Sequence, residues 1–325
     1  MVLLLSGLVI LVLVLFSMIP SGHSIHTVQG QETGVIPIYE CQEIYRSGVY
    51  VLARDISGVY PKKDYCIGIF ADDVVLDGNG HSMTSQYYGD GIYVEASDNV
   101  TIKNLRISKY GTGIYIYDTF PNWYSRNITI VGNTIDSNQY GIYLRSSNSN
   151  TIANNTISFN RDGIRIDDSN NNIIVGNIIT SNEEAGIYLK DYSSGNMIYN
   201  NLFRNTWNAV FDLASGNHWN TTKTPGRNIV GGPYLGGNYW GKPDGTGFSD
   251  TCRDSDEDGI CDEPLRIYSG NVDWLPLAKT PTPSTTTTPP TETTPTTGLV
   301  IITIVAITAL AIVASIVTRR KHFFH

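Results

Sequence analysis

The chain has 325 residues, with 22 Lys and Arg against 30 Asp and Glu and a formal charge of −8. That acidic balance, with no basic cluster in the body of the chain, excludes nucleic acid as a partner, because such a surface is built on cationic contacts to phosphate. Only 16% of residues are charged while Gly (31) and Tyr (20) are abundant, a profile of a β-rich extracellular protein rather than a helical one.

Val2 to Phe16 is almost wholly apolar and is followed by the small residues Ser21-Gly-His-Ser24. This predicts a secretory signal peptide over residues 1–26; the missing Lys or Arg ahead of the apolar run leaves an uncleaved anchor as the alternative. Residues 27–67 read as an N-terminal cap, with a short strand at Gly48–Leu52, covering the strand edge that an open coil end would expose. Val74-Val-Leu-Asp-Gly-Asn-Gly-His81 then gives a strand and a glycine-rich turn.

Over residues 68–213 one phrase recurs. It runs Gly68-Ile-Phe-Ala, Gly91-Ile-Tyr-Val, Gly113-Ile-Tyr-Ile, Gly141-Ile-Tyr-Leu, Gly163-Ile-Arg-Ile and Gly186-Ile-Tyr-Leu, and fades at Ala209-Val-Phe-Asp, in steps of 22, 23 or 28 residues. Units this short bury a core only by stacking on their neighbours. Period-two alternation turns Ile69/Ala71, Ile92/Val94, Ile114/Ile116, Ile142/Leu144, Ile164/Ile166 and Ile187/Leu189 to one side, the core. A second strand follows in each copy (Val100–Ile102, Ile128–Ile130, Ile173–Val175), then the Asn signatures Asn133-Thr-Ile, Asn155-Thr-Ile, Asn177-Ile-Ile and Asn201-Leu-Phe. A further series follows at Asn138, Asn160, Asn182 and Asn205. Such columns make sense if successive copies lie directly over one another, so that stacked amides bond along the stack and satisfy turn backbone. The predicted fold is all-β: a right-handed parallel β-helix of about seven rungs, roughly 30–35 Å long at about 4.8 Å per rung.

The Gly-Ile-Tyr-Leu…Asn-x-Thr-Ile pattern resembles the repeats of pectate-lyase-like β-helix proteins. More narrowly, it looks like the NosD-type "periplasmic copper-binding" β-helix proteins of prokaryotic cell surfaces. The likeness runs from Tyr39 to Leu277 and includes Val75-Leu-Asp-Gly-Asn-Gly-His81, Gly237-Asn-Tyr-Trp240 and Pro276-Leu277. It implies the fold; the superfamily mixes lyases, hydrolases, binding proteins and structural shells, so function must come from the site.

Two outward columns flank the core residues: Phe70, Tyr93, Tyr115, Tyr143, Arg165, Tyr188 and Phe211, and beside them Asp72, Glu95, Tyr117, Arg145, Asp167, Lys190 and Leu213. Aromatic faces stack on sugar rings, and Arg, Asp and Lys bond hydroxyls or uronate carboxylates. Tyr93, Tyr115, Tyr143, Arg145, Arg165, Asp167, Tyr188 and Lys190 are therefore the candidate carbohydrate-binding residues. The alternative is that the tyrosines only brace stacked strands while the charges neutralise one another. Arg165, Asp167 and Lys190 are the candidate catalytic residues. A glycosidase needs two carboxyls about 5–9.5 Å apart, yet Asp167 has Arg145 and Lys190 on the adjoining rungs, and Asp168 points to the opposite face. The expectation is thus non-enzymatic binding or organisation of polysaccharide or glycoprotein glycans; the alternatives are a polysaccharide lyase or glycoside hydrolase, or a copper-related periplasmic role.

Residues 214–277 read as a C-terminal cap. Within it Asp254, Asp256, Asp258 and Asp262, with the Ile260 carbonyl, have the spacing of a loop wrapping Ca²⁺. Leu265 stands where an EF-hand places Glu, so the expectation is a structural calcium loop outside that class; a solvated acidic turn is the alternative. Cys41, Cys66, Cys252 and Cys261 allow three pairings, of which the local one, Cys41–Cys66 and Cys252–Cys261, staples both ends of the body. Asn99, Asn127, Asn154 and Asn220 open N-glycosylation sequons. Copper is disfavoured, because His26, His81 and His218 with Met83 and Met197 offer only the thin pairing of His81 with Met83. Residues 278–297 form a Thr/Pro stalk, and 298–318 a transmembrane helix. In the tail at 319–325, Arg319, Arg320 and Lys321 place the C-terminus in the cytoplasm. The body is expected outside the membrane, extracellular or periplasmic.

Overall fold

The computed structural model describes residues 34–86, 88–118 and 125–280. The predicted signal peptide, stalk, transmembrane helix and cytoplasmic tail lie outside the described residues, as does His26. Among the described residues no helix is long and apolar enough to cross a membrane.

The chain winds as a right-handed parallel β-helix. Three parallel sheets of eight strands form its faces. Sheet I runs from Val35–Ile38 and Gly48–Leu52 to Met197–Tyr199, sheet II from Ile56–Ser57 to Tyr239–Gly241, and sheet III from Gln42–Ile44 to Ala209–Asp212. Each turn passes from I to II to III, giving seven complete turns with a partial one at either end. Sheet III carries the Gly-Ile-Tyr phrase. Its inward side chains from Ile92 to Leu189 are wholly buried, in line with Ile102, Ile130, Ile152 and Ile174 of sheet I and Ile107, Ile135, Ile157 and Ile179 of sheet II. Each fully buried side chain of this size stabilises the coil by about 1.5–3 kcal/mol.

Stacking explains the glycine of the phrase. At Gly91, Gly113 and Gly163 a Cβ would come within 2.6 Å of the carbonyl oxygen of the glycine or equivalent residue one turn on. The turns are held by amide ladders. From Leu105 through Asn133, Asn155, Asn177 and Asn201 to Asn238, each backbone N–H donates to the next Asn Oδ1 at 2.9–3.1 Å. A second ladder climbs from Tyr110 through Asn138, Asn160 and Asn182 to Asn205 at 2.8–3.0 Å. A third ladder, not expected from the repeat, runs from Ile128 through Asn150, Asn172 and Asn196 to Asn217.

Three expectations are corrected. Residues 35–57 do not cap the coil: they supply strands to all three sheets, because Gly48–Leu52 pairs in register with Val74–Asp77. The first copy is slipped by two residues, Gly68 lying opposite Tyr93 and Ile69 opposite Val94, so its faces are kept. Ile67 and Ile69 therefore point inward in place of Ile69 and Ala71, and Gly68 leaves the space into which the Tyr65 and Phe70 rings fold. The last copy slips by one residue, which exchanges its faces: Ala209 pairs with Ile187 and Val210 with Tyr188. Phe211 thus joins the inward column and Asp212, not Leu213, follows Lys190.

The two disulfides are Cys41–Cys66 and Cys252–Cys261. At the C-terminal end aromatic rings close the aliphatic core. Phe203 stacks on Trp240 at 4.9 Å, and Trp240 meets Trp219 at 5.5 Å. Buried Asp273 ties this plug together, accepting from Asn238 N (2.8 Å), Trp240 Nε1 (2.8 Å) and Leu275 N (3.1 Å).

Candidate functional site

The outer face of sheet III is a continuous column of rings. Tyr65 and Tyr93 stack at 5.3 Å, Tyr93 and Tyr115 meet edge-on at 5.7 Å, and Tyr115 and Tyr143 stack at 4.9 Å. Arg165 occupies the next place, its guanidinium 5.4 Å from the Tyr143 ring, 5.2 Å from Tyr140 and 5.1 Å from Tyr188. Rung spacing forces this, since outward side chains in register stand within ring-stacking distance. The ring faces are therefore spent on one another along Tyr65–Tyr143, and solvent meets their edges and hydroxyls.

The charges beside the column are similarly engaged. Arg165 Nε donates to Asp167 Oδ2 at 3.1 Å, the same oxygen that accepts from the Tyr143 hydroxyl at 2.7 Å. Arg165 Nη1 lies 3.6 Å from Asp162 Oδ2. Arg145 is exposed and lies over the Tyr117 ring at 5.4 Å, and Lys190 faces Asp191 at 3.8 Å. Arg165 and Asp167 are thus brought together, as the sequence suggests, but in a mutually neutralising knot. Burial, and then the Asp167 carboxylate, push the Tyr143 hydroxyl pKa up.

Among the described residues this face opens beside Lys63, Tyr65, Asp90 and Tyr93 and again, farther along the column, beside Asp162. Asp162 pairs across the sheet with Ala185, and Tyr188 with Val210. Where preceding rungs carry Tyr140 and Tyr143, these small side chains leave a depression of 460 Å³ lined by Asp162, Glu183, Glu184, Ala185, Tyr188, Trp207 and Val210. Trp207, from the turn before Ala209–Asp212, is 65% exposed. Asp162 is 1% exposed, and neither carboxylate oxygen accepts a hydrogen bond from another protein group. Burial pushes its pKa up to about 6, against the opposing pull of Arg165 and Arg161. Glu184 bonds Arg161 at 2.8 Å, which holds its carboxyl below the ordinary range. Neither Asp162 nor Trp207 was among the sequence candidates. Asp162 was legible as the residue preceding the repeat glycine, in the column Asp90, Thr112, Tyr140, Asp162, Ala185; Trp207 lies outside the repeat pattern.

In the acidic loop Asp254, Asp256 and Asp262 offer oxygens all within 4.8 Å of one another. Asp258 turns away to an ion pair with Lys223, so its side chain leaves the predicted ligand set. The Ile260 N–H donates to Asp258 Oδ1. Of the sequon residues, Asn99, Asn127 and Asn154 are exposed and Asn220 is half-buried.

A family model described as periplasmic copper-binding protein (NosD) matches residues 71–245, just over half of the chain. The chain belongs to the NosD family. No curated protein sequence matches this NosD-family chain. Among solved structures, it is similar to the enzymatically active domain of tailspike protein 2 of bacteriophage CBA120. That match has 16% identity and a TM-score of 0.34, and covers 56% of this chain and 29% of that one. It is also similar to the Dettilon tailspike protein, at 13% identity and TM-score 0.39, covering 65% and 56%. A third similar structure is the A-module of the Azotobacter vinelandii mannuronan C-5 epimerase AlgE6, at 12% identity and TM-score 0.24, covering 57% and 80%. The chain thus spans 29% and 56% of the two tailspike structures.

The family description names copper, and the donors present can be tested against it. Met83 is wholly buried in the core and His81 Nδ1 lies 3.2 Å from Asp55, so that pair is no ligand set. Met197 and His218 are bridged side by side on adjacent turns, and both are exposed. Thioether and imidazole both suit copper, but among the described residues two such donors on an open face fall short of the closed set that holds a resident copper.

Proposed function

We propose that this NosD-family chain is a non-catalytic glycan-binding β-helix that holds polysaccharide or glycoprotein glycans on the outer face of sheet III. The observation that carries the reading is the depression at Asp162, Tyr188 and Trp207. There an exposed indole and a tyrosine stand beside carboxylates able to accept from sugar hydroxyls, the mix of apolar platform and few polar anchors by which concave sites orient ligands. The periplasmic description of the family and the two disulfides support an exported body. The test is the full chain on an array of immobilised glycans. Binding to at least one glycan, reduced ten-fold or more by Trp207→Ala and unchanged by Arg145→Ala, is expected; a folded chain that binds none overturns the reading.

Glycoside hydrolysis is the second reading, favoured by one observation. Asp162 and Glu184 line the same depression, burial raising the first carboxyl and the Arg161 ion pair lowering the second, and such opposed environments are how a general acid and an ionised partner are set up. New reducing ends released from a bound polymer by the wild type, and lost in Asp162→Asn, would replace binding with catalysis.

A further inference from the structure

On the reading that sheet III binds glycans, we infer that the depression between Asp162 and Trp207 selects neutral, hydroxyl-rich sugars and rejects uronates and sulfated sugars. The selectivity follows from which charges are already committed. Three carboxylates, Asp162, Glu183 and Glu184, line the depression. The cations nearest to it are engaged. Arg161 pairs through Nη2 with Glu184 at 2.8 Å, and its unpartnered Nε is buried away from the lining of the depression. Arg165 is held by Asp167 at 3.1 Å and Asp162 at 3.6 Å, and is packed among three tyrosine rings. A ligand carboxylate would enter an acidic cup whose lining holds no Lys or Arg to receive it, and like charges at such range repel.

A hydroxyl-rich ligand meets the opposite situation. Asp162 is 1% exposed and both of its oxygens lack a hydrogen-bond donor among protein groups. A buried acceptor left without a donor is costly, so a sugar hydroxyl pointing to the floor completes it. Glu183 is exposed at the rim and can accept from a second hydroxyl. Ala185 and Val210 make the floor shallow, leaving Trp207 and Tyr188 to contact the apolar face of the ring. This is a different chemistry from the exposed Arg145 on the rung preceding Arg165, which would favour anionic polymers.

The experiment compares the full chain on three immobilised arms: neutral glucans, mannans and galactans; polygalacturonate and heparin; and chitosan as a cationic control. The expected result is at least a ten-fold preference for a neutral arm over the anionic arm. Trp207→Ala and Asp162→Asn should each reduce neutral binding ten-fold or more, with a melting transition showing that each variant is folded. In Glu183→Gln/Glu184→Gln the anionic arm should gain at least three-fold. Trp207-dependent binding to the anionic arm that equals or exceeds neutral binding overturns the selectivity while leaving the glycan reading intact. So does binding confined to chitosan. No binding on any arm overturns both, and neutral binding untouched by Trp207→Ala removes the depression as its seat.

Discussion

Asn177 shows what one residue carries in this coil. Its Nδ2 donates to the Ile152 carbonyl at 2.8 Å and to Asn201 Oδ1 at 2.9 Å, while its Oδ1 accepts from the Asn155 backbone N–H at 2.9 Å. Asn177→Ala orphans the buried Asn155 N–H and deletes the Nδ2 bonds to Ile152 O and Asn201 Oδ1, and at about 1–3 kcal/mol per unsatisfied group it should cost roughly 2–4 kcal/mol in urea unfolding. Asp162 works in the other direction. Its carboxyl is raised to about 6 by burial from about 3.9 in an unfolded chain. The stabilisation from this group is therefore fully present below about pH 4 and is lost as pH rises through about 6. Two units correspond to about 3 kcal/mol at most, so removing the ionisation in Asp162→Asn should raise stability at pH 8 by roughly 1–3 kcal/mol. Melting temperatures from pH 5 to 8 should fall for the wild type relative to Asp162→Asn; parallel curves would remove Asp162 as the source.

At the scale of the strand, register explains both what the sequence makes legible and what it hides. From Gly91 to Lys190 the inward isoleucines, the tyrosine column and two Asn ladders follow directly from the 22–28-residue period, because only a stacked coil aligns them. At either end the alternation of apolar residues is equally consistent with two registers. Ile67/Ile69 can replace Ile69/Ala71, and Ala209/Phe211 can replace the pattern begun at Gly186. A one-residue slip exchanges faces, and at the last copy it removes Phe211 from the outer column. The open depression exists because of that slip, so no pattern read along the chain reveals it. The third ladder, Asn150 to Asn217, escaped because it belongs to turns whose Ser-x-x-Asn spacing is short and common in so Asn-rich a chain. The first turn also depends on a crosslink. Cys41–Cys66 closes a segment of sequence separation 25 between neighbouring strands of sheet III, which should contribute about 3 kcal/mol by restricting the unfolded chain. Cys41→Ala/Cys66→Ala should lower the urea midpoint accordingly, and hydrogen exchange should quicken first at Gln42–Ile44.

For the whole molecule, a stack in which each turn touches only its neighbours is as secure as its ends. The C-terminal end combines the Phe203–Trp240–Trp219 plug, the Asp273 junction and the acidic loop, whose Cys261 N–H bonds Pro276 O at 2.8 Å and whose Gly259 O accepts from Ala278. Asp254, Asp256 and Asp262 converge there without a cation partner of their own closer than Arg253, 3.7 Å from Asp262. Burial, with Asp258 and Asp256 nearby, raises the Asp254 carboxyl. We propose calcium as the ion that relieves this convergence, held by three carboxylates with the remaining places open to water or backbone carbonyls. Calcium at about a hundred times its dissociation constant would stabilise the fold by about 2.7 kcal/mol, worth roughly 5–10 °C for a body of this size. Excess chelator should lower the melting temperature by that amount and Asp256→Asn should abolish the response, whereas Asp258→Asn, which removes only the Lys223 partner, should retain most of it. An unchanged transition in chelator would refute the calcium site and leave this end braced by the aromatic plug, the Asp273 junction and the Cys252–Cys261 disulfide. The same chelated chain on the glycan array separates calcium binding from glycan binding, since the depression at Asp162 draws its shape from strand register and should bind regardless.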